Sequence, residues 1–328
     1  MEFHEKFERC MVMAGGGFRF GYYFGMHAAA VETGNKPDIL LGSCGGAIAA
    51  AVIAALPDDR ARRAWLASSA MHRFFRGITT TPRAKILPVM HGLLRRQLQR
   101  GAAPIVPDLF DDYLFELPDM PPVPCAVTTP ATPVAIIGAK MLFQRGDVGS
   151  PRAERKLFRE TVFCGTRAAS LLKGTALPPQ LGIDGDSAIA PGLEVDTVMP
   201  LNDALRISIA DAYYFPCHSL PQGNYSGGLI DLFPIEIARQ LARHVVMERK
   251  ARFNGAYALP AIRAVFGIDG NARSRNVYAE YADIWVNTSD AANSLGRACI
   301  GKRIDWRRNR VCLEVPVSSG CKLIQASD

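Results

Sequence analysis

A cysteine at residue 44 is flanked by small residues on both sides, in the run Gly42-Ser43-Cys44-Gly45-Gly46. The apolar run 38–41 precedes it and the alanine-rich run 47–56 follows, which predicts a strand, a sharp turn and a helix. A nucleophile elbow has this arrangement, because small neighbours let the chain turn sharply and expose the central side chain. We therefore expect Cys44 to be a nucleophile, with glycines 42, 45 and 46 shaping the turn and Ser43 facing inward.

The predicted position of Cys44 also bears on its acidity. At the N-terminus of a helix, unpaired amides and the helix dipole favour a thiolate. The sequence predicts a pKa below the free value of about 8.5 and the most reactive of the eight thiols. The alternative is structural, since a buried cysteine before an alanine-rich helix often serves packing alone.

A second glycine-rich turn, Gly15-Gly16-Gly17-Phe18-Arg19, follows the apolar run 11–14. Strands that alternate with helices predict parallel βαβ units, whose loops meet at the carboxyl edge of the sheet. Both glycine turns are therefore expected at one edge. There the backbone amides of the first turn could stabilise an oxyanion formed when Cys44 attacks an acyl carbonyl.

These residues resemble the motifs of the patatin-like phospholipase family. Gly15, Gly16, Gly17 and Arg19 are similar to its glycine-rich loop, and residues 42–46 are similar to its G-x-S-x-G elbow. The run Ser226-Gly227-Gly228 is similar to its D-G-G motif, whose aspartate completes a Ser-Asp dyad. The resemblance covers about residues 8–250. It implies a three-layer α/β fold with a mainly parallel central sheet, an oxyanion loop at Gly15, Gly16, Gly17 and Arg19, and a lipid or acyl-thioester substrate.

Three positions depart from the family pattern: Phe20 replaces a glycine, Cys44 the nucleophilic serine and Ser226 the dyad aspartate. In one interpretation Cys44 remains a nucleophile in a lipid acyl hydrolase or acyltransferase, because a thiol depends less on a base than a serine hydroxyl does. In the other, the protein has lost its chemistry and binds lipid, acyl chains or a protein partner. A serine hydroxyl at residue 226 cannot act as the base.

Replacement bases are sought near Ser226. His218 lies eight residues before it and Asp231 five after it, in a turn-rich stretch. The preceding run 206–210 predicts a strand, and Pro234 predicts the start of a helix over 235–249. We predict that the glycine loop, the elbow and the turn at residues 226–228 converge at one edge of the sheet.

The segment between Asp59 and Asp108 contains ten Lys and Arg residues and no acidic residue. Apolar side chains alternate with these cations, as in Phe74, Phe75, Leu87 and Leu94. This combination predicts helices over the mouth of the site that act as a lid or face an anionic membrane surface. Basic helices packed on the core by an apolar stripe would give the same pattern.

The remaining composition narrows the class of protein. The chain has 328 residues, of which 48% are hydrophobic and 21% charged, and this composition predicts a globular protein. No apolar run reaches a membrane span of about 18 residues, and no signal peptide is recognised, so a cytoplasmic protein, in contact with a membrane at most peripherally, is expected. We expect no cofactor, no metal and no nucleic-acid partner. The expected organisation is one domain over 1–250 with a lid-like insertion at about 60–107, followed by an extension over 251–328 that packs on the same domain.

Overall fold

The computed structural model describes residues 5–15, 17–56, 58–118, 122–124, 132–174, 186–249, 252–253, 255, 258–288 and 301–314. Its strands are β1 Phe7–Met13, β2 Ile39–Ser43, β3 Thr79–Thr80, β4 Phe115–Glu116, β5 Val134–Met141, β6 Phe158–Cys164, β7 Glu194–Asp196, β8 His218–Leu220, β9 Gly223–Ser226, β10 Ala242–Arg249, β11 Ile284–Asn287, β12 Gly301–Asp305 and β13 Arg310–Glu314. Its helices are α1 Phe20–Glu32, α2 Gly45–Ala55, α3 Asp59–Leu66, α4 Ser69–Gly77, α5 Ile86–Leu98, α6 Thr166–Leu172, α7 Leu201–Ser208, α8 Ile235–Leu241, α9 Ala258–Phe266 and α10 Gly270–Ala279.

The central sheet has the strand order β11-β10-β1-β2-β5-β6-β7 and is mainly parallel. The pairs from β11 through β5 are all parallel, whereas β6 and β9 pair with β5 in the antiparallel direction. Parallel strands need crossover connections, and α1 supplies the one between β1 and β2. The predicted α/β fold with a mainly parallel sheet is confirmed.

Two apolar layers cover the sheet, one on each face. Alternate residues of β1 separate between them: Cys10 and Val12 pack with the layer that contains α8 and α9 residues, whereas Met11 and Met13 pack with residues of α1 and α2. A strand covered on both faces is apolar throughout, because neighbouring side chains point to opposite sides. This gives the three-layer arrangement expected from the sequence.

Two of our element predictions are wrong. Residues 206–210 form the end of α7 and the turn after it, not a strand, and the predicted helix over 235–249 ends at Leu241. The chain then continues directly as β10, which pairs with both β1 and β11. Short apolar runs suit a buried helix or a buried strand equally well, and tertiary pairing decides between them. Strands β12 and β13 pair with each other as an antiparallel hairpin.

Candidate active site

Cys44 lies at a sharp turn between β2 and α2. Its backbone dihedrals are φ 53° and ψ −126°, in a region that non-glycine residues rarely adopt. Such strain persists only where the surrounding structure holds it, and it concentrates at functional sites. The turn predicted from the glycines is therefore present, with the cysteine at its centre.

The glycines of the elbow are required by close backbone approaches. A methyl group at Gly45 would collide with the carbonyl oxygen of Gly17, and one at Gly46 with the carbonyl oxygen of Met13. At Gly42 it would lie 2.5 Å from the Cα of Ala47. The first glycine loop and the elbow therefore touch through their backbones, at the same edge of the sheet.

Ser43 points into the protein, away from any substrate. Its side chain is fully buried, and its hydroxyl contacts two carbonyl oxygens, those of Gly228 at 2.8 Å and Asp231 at 3.0 Å. The elbow is thus tied to the turn that follows β9. The expected convergence of the glycine loop, the elbow and the turn at residues 226–228 is what the structure contains.

The thiol of Cys44 has a carboxylate partner that the sequence analysis did not single out. Its Sγ atom lies 2.9 Å from Oδ2 of Asp211, which follows α7. The end of α7 is held against the elbow, because the Cys44 amide donates a hydrogen bond of 2.9 Å to the hydroxyl of Ser208. A nucleophile and a base within hydrogen-bond distance are the basic requirement for nucleophilic catalysis.

Burial dominates the electrostatics of this pair. Cys44 is 6% exposed, and burial followed by the negative charge of Asp211 raises the pKa of its thiol well above the ordinary value, although the amides of Gly45 and Gly17 act in the opposite direction. The prediction of a lowered pKa at Cys44 is therefore wrong. A helix N-terminus is a weak influence beside desolvation and a carboxylate in contact.

The same environment acts on the base. Although part of Asp211 reaches the surface, its Oδ1 atom has almost no accessible area, and burial raises the pKa of Asp211 to about 6, with the hydrogen bond from Cys44 opposing the rise. At neutral pH the resting pair is a neutral thiol that donates to an ionised carboxylate. Such a carboxylate can accept the proton when the sulfur attacks, and a pKa near neutrality suits that role.

The backbone amides of Gly17 and Gly45 act on the Cys44 thiol, since both lower its pKa against the larger effects of burial and Asp211. The Gly15 amide instead donates to the carbonyl oxygen of Leu232 at 3.3 Å. Gly16 lies outside the described residues. Gly17 of the glycine loop therefore acts on the Cys44 thiol together with Gly45 of the elbow, and the role of these amides at an oxyanion stays a prediction.

Arg19 anchors the glycine loop to the sheet. Its guanidinium forms an ion pair of 3.1 Å with Glu248, a fully buried residue of β10, and lies 4.2 Å from the ring centroid of Tyr22. Glu248 also receives hydrogen bonds from Tyr23 and Thr288. The charge of Arg19 therefore compensates the buried carboxylate of Glu248. This ion pair holds the glycine loop in position against β10.

The other residues selected from sequence have different partners. The Ser226 hydroxyl donates to the carbonyl oxygen of Ala210 at 3.3 Å, next to Asp211. The Nε2 atom of His218, the first residue of β8, lies 3.1 Å from Oδ1 of Asp203. Asp231 forms an ion pair of 3.0 Å with Arg273, and burial raises its pKa despite that pair. The described partners of His218 and Asp231 are thus Asp203 and Arg273, whereas Asp211 contacts the Cys44 thiol.

The turn at Ser226 nevertheless supports the position of Asp211. The Gly227 amide donates to the Ala210 carbonyl at 2.8 Å, so two groups of this turn hold the residue before Asp211. A methyl group at Gly227 would lie 2.5 Å from Oδ1 of Asp211. The carboxylate of Asp211 thus occupies space beside residues 226 and 227, where the family pattern would supply its own aspartate.

The basic segment between residues 60 and 107 divides into two parts. Helices α3 and α4 pack on the core through an apolar face, and Phe74 and Phe75 of α4 contact the ring of Phe18 in the glycine loop, with centroids 5.9 and 5.4 Å apart. Helix α5 has no buried residue. The packed-helix alternative therefore describes α3 and α4, whereas α5 presents apolar side chains to solvent.

Within the described part of the chain, no group of three or more His, Cys, Asp or Glu residues is arranged to hold a metal ion. Within the same residues, no helix is both long and apolar enough to cross a membrane.

One signal in the sequence points to Asp211. It is the first carboxylate after the run Ile207-Ser208-Ile209-Ala210, whose members are all buried at the end of α7. The resemblance to the D-G-G motif pointed to residue 226 instead of Asp211.

The geometry is that of a strained turn centred on Cys44 beside a glycine-rich loop. The sequence model of the patatin-like phospholipase family matches residues 11–239, so the chain belongs to this family of lipid hydrolases. No curated protein sequence matches it. Among solved structures, that of VipD from Legionella pneumophila has 11% sequence identity and a TM-score of 0.32, over 74% of this chain and 50% of VipD. The chain thus spans about half the length of that protein, and its family assignment rests on the sequence match.

Proposed function

We propose that this protein is a lipid acyl hydrolase or acyltransferase whose nucleophile is Cys44 and whose base is Asp211. The observation that carries the proposal is the 2.9 Å contact between the thiol sulfur and the carboxylate oxygen. It supports a Cys-Asp pair in the role of the family's Ser-Asp dyad, with the aspartate supplied by a different loop.

In the proposed first step, Asp211 takes the thiol proton as the sulfur attacks the acyl carbonyl carbon. The amides of Gly17 and Gly45 donate to the oxyanion of the tetrahedral intermediate. When this intermediate collapses, the bond to the leaving group breaks, and protonated Asp211 returns its proton to the leaving oxygen, or to the sulfur of a thioester substrate. The product is an acyl-thioester on Cys44.

The second step restores the enzyme. Asp211 removes a proton from a water molecule, which attacks the thioester carbonyl and releases a fatty acid, while the Cys44 sulfur recovers the proton from Asp211. If an alcohol replaces the water, the same sequence transfers the acyl group. A raised thiol pKa is compatible with this scheme, because the thiol is deprotonated only as it attacks and a stable thiolate is not required.

The decisive experiment is intact-mass analysis after incubation with a short-chain acyl thioester. We expect an acyl adduct on the wild-type protein and none on Cys44→Ala. Asp211→Asn should slow adduct formation by about 10²–10⁴-fold, which is the usual contribution of a positioned base. Asp203→Asn, which removes the partner of His218, is the matched control and should react like the wild type.

The absence of any adduct in the wild type would support the other function, an inactive member that binds acyl lipid. One observation favours that alternative: the Cys44 thiol is buried and its pKa is raised, so it is a weak nucleophile at rest.

The same proposal includes attachment to an anionic membrane surface through α5. Leu87, Leu94 and Leu98 of this helix are 76%, 61% and 83% exposed. Trp306, 75% exposed, lies on the β12–β13 turn that contacts the start of α5 through the hydrogen bond from Ile86 to Asn309. Apolar side chains between arginines suit a helix that lies in a membrane interface.

Flotation with liposomes tests this attachment. We expect binding to vesicles that contain anionic phospholipid and weaker binding to neutral vesicles, because cations on the polar face add electrostatic attraction. Leu94→Glu combined with Leu98→Glu should abolish it. A matched change at an exposed leucine elsewhere, Leu142→Glu, should leave it unchanged. Equal binding to both vesicle types, or none, would contradict the proposal.

A further inference from the structure

A cavity of about 600 Å³ lies between α5 and the β12–β13 hairpin. Small-molecule sites in proteins measure about 300–1,000 Å³. Apolar side chains of both elements line it, among them Ile86 and Val89 of α5 and Val311 of β13. One wall is formed by Tyr213 and Tyr214, the second and third residues after Asp211. The cavity therefore adjoins the loop that carries the proposed base.

Two cations are held against that tyrosine wall. The guanidinium of Arg96 lies 4.0 Å from the ring centroid of Tyr213, and the ammonium of Lys302 lies 3.7 Å from that of Tyr214. Cation–π contacts of this kind fix the position of long side chains that would otherwise move freely. In total, five cationic side chains line the cavity against two carboxylates, those of Asp108 and Asp112.

The tyrosine loop itself is constrained. Tyr213 has φ 67°, a left-handed conformation that a bulky residue rarely adopts. Its carbonyl oxygen accepts a hydrogen bond from Leu114 at 3.1 Å, and that of Tyr214 accepts one from Phe115 at 2.9 Å. Strain that is held by such bonds is typical of residues that line functional sites.

An electrostatic connection links the cavity to the proposed dyad. The positive charge of Lys302 lowers the pKa of Asp211, against the larger effect of burial. In addition, the Tyr214 amide donates to the Asp211 carbonyl at 3.0 Å. A ligand that brings a negative charge to Lys302 would therefore place that charge near the base.

We propose that this cavity binds a single-chain lipid with an anionic head group, the acyl chain along the apolar side of α5 and the head group at Lys302 and Arg96. The assignment deepens the proposed function, on which its role as a substrate site rests. A head group at Lys302 would lie beside Tyr214, the third residue after Asp211. Lys302 belongs to the hairpin, which lies outside residues 11–239, so this specificity is a property of this chain rather than of the family match.

The test measures binding alone, in the Cys44→Ala protein, by calorimetry below the micelle concentration. Dodecyl phosphate should bind at least tenfold more tightly than dodecyl maltoside, which has the same chain without charge. Lys302→Gln should remove this preference, and Lys302→Arg should keep it. Arg307→Gln is the matched control, since Arg307 belongs to the same hairpin turn but does not line the cavity.

A second pair of variants tests the position of the chain. Val89→Trp fills the cavity and should abolish binding of both amphiphiles, whereas Leu94→Trp, on the exposed side of the same helix, should not. Inorganic phosphate alone should bind at least tenfold more weakly than dodecyl phosphate. Equal affinity would show a simple anion site and would overturn the proposal, as would unchanged binding in Val89→Trp.

The two proposals can fail separately. An acyl adduct on wild-type Cys44 without binding of dodecyl phosphate to the cavity would leave the chemistry standing and remove the lipid assignment. Binding without an adduct would leave the cavity as the site of a lipid-binding protein.

Discussion

The thiol of Cys44 and the carboxylate of Asp211 share one proton at 2.9 Å. Burial raises the pKa of the carboxylate only to about 6 but raises the pKa of the thiol well above its ordinary value. At neutral pH the carboxylate is therefore ionised and the thiol is not. The proton therefore moves only when a carbonyl is in position. This differs from cysteine enzymes that hold a stable thiolate, and it leads to a specific dependence on pH.

We expect the rate of acylation to rise with pH through a midpoint near 6, because Asp211 has a pKa of about 6 and must be ionised to accept the proton. Below that midpoint the rate should fall about tenfold for each pH unit. The measurement is kcat/KM with a thioester substrate between pH 4.5 and 8. A profile that instead rises only above pH 8 would indicate a thiolate mechanism without Asp211.

Replacement of the nucleophile provides a second prediction at this scale. Cys44→Ser should retain ester hydrolysis, because Asp211 already stands where a serine hydroxyl could donate to it and the elbow is unchanged. We expect a rate at least tenfold above that of Cys44→Ala, measured with a chromogenic short-chain ester. The double variant Cys44→Ser with Asp211→Asn should be as slow as Cys44→Ala. Activity that survives this double change would reveal a different base.

At the scale of elements, the site depends on contacts among the glycine loop, the elbow, the end of α7 and the turn after β9. The glycine loop approaches the elbow at Gly45, and α7 presents Ser208 to the Cys44 amide. The turn after β9 holds Ala210 through two hydrogen bonds. Four elements that are distant in sequence therefore fix one sulfur and one carboxylate.

Gly45→Ala tests the closest of these contacts. A methyl group there collides with the Gly17 carbonyl, so the two loops must separate. We expect a loss of about 1–3 kcal/mol in the free energy of unfolding, as for other overpacked positions, together with slower acylation. Chemical denaturation and the mass assay measure the two effects. Gly146→Ala is the control, because nothing lies within 4 Å of its added methyl group.

For the whole molecule, the sequence predicted the sheet, the elbow and the meeting of the glycine loops, because glycine spacing and apolar runs reflect backbone geometry directly. It did not predict Asp211, because the partner of Cys44 depends on how α7 ends. The run 206–210 suits a strand or a helix, and only its packing shows which. The pKa of Cys44 was also beyond the sequence, since burial outweighs the helix terminus.

The raised pKa of Asp211 also has a consequence for overall stability. Its folded-state pKa, about 6, exceeds the ordinary value of 3.8, so the folded protein holds this proton more tightly than the unfolded chain does. Ionisation of Asp211 therefore destabilises the fold above pH 6, and this penalty disappears as the pH falls below 4.

We accordingly expect Asp211→Asn to stabilise the protein at pH 8 by about 3 kcal/mol and to have little effect at pH 4. Thermal unfolding of both proteins at the two pH values measures this difference. Asp203→Asn, a partly exposed carboxylate, serves as the control and should show no such gain at pH 8. Destabilisation by Asp211→Asn at pH 8 would mean that the ionised carboxylate strengthens the fold.

The hydrogen bonds from Ser226 and Gly227 to Ala210 bear on how members of this family are classified as active or inactive. A survey that reads only the residue at the D-G-G position would place this chain among the proteins without a base, although a carboxylate stands beside the sulfur. In this chain the carboxylate beside the sulfur comes from the loop before β8, not from the turn after β9. Chains that have lost the motif aspartate should therefore be inspected for a carboxylate at the end of the preceding helix before they are counted as inactive.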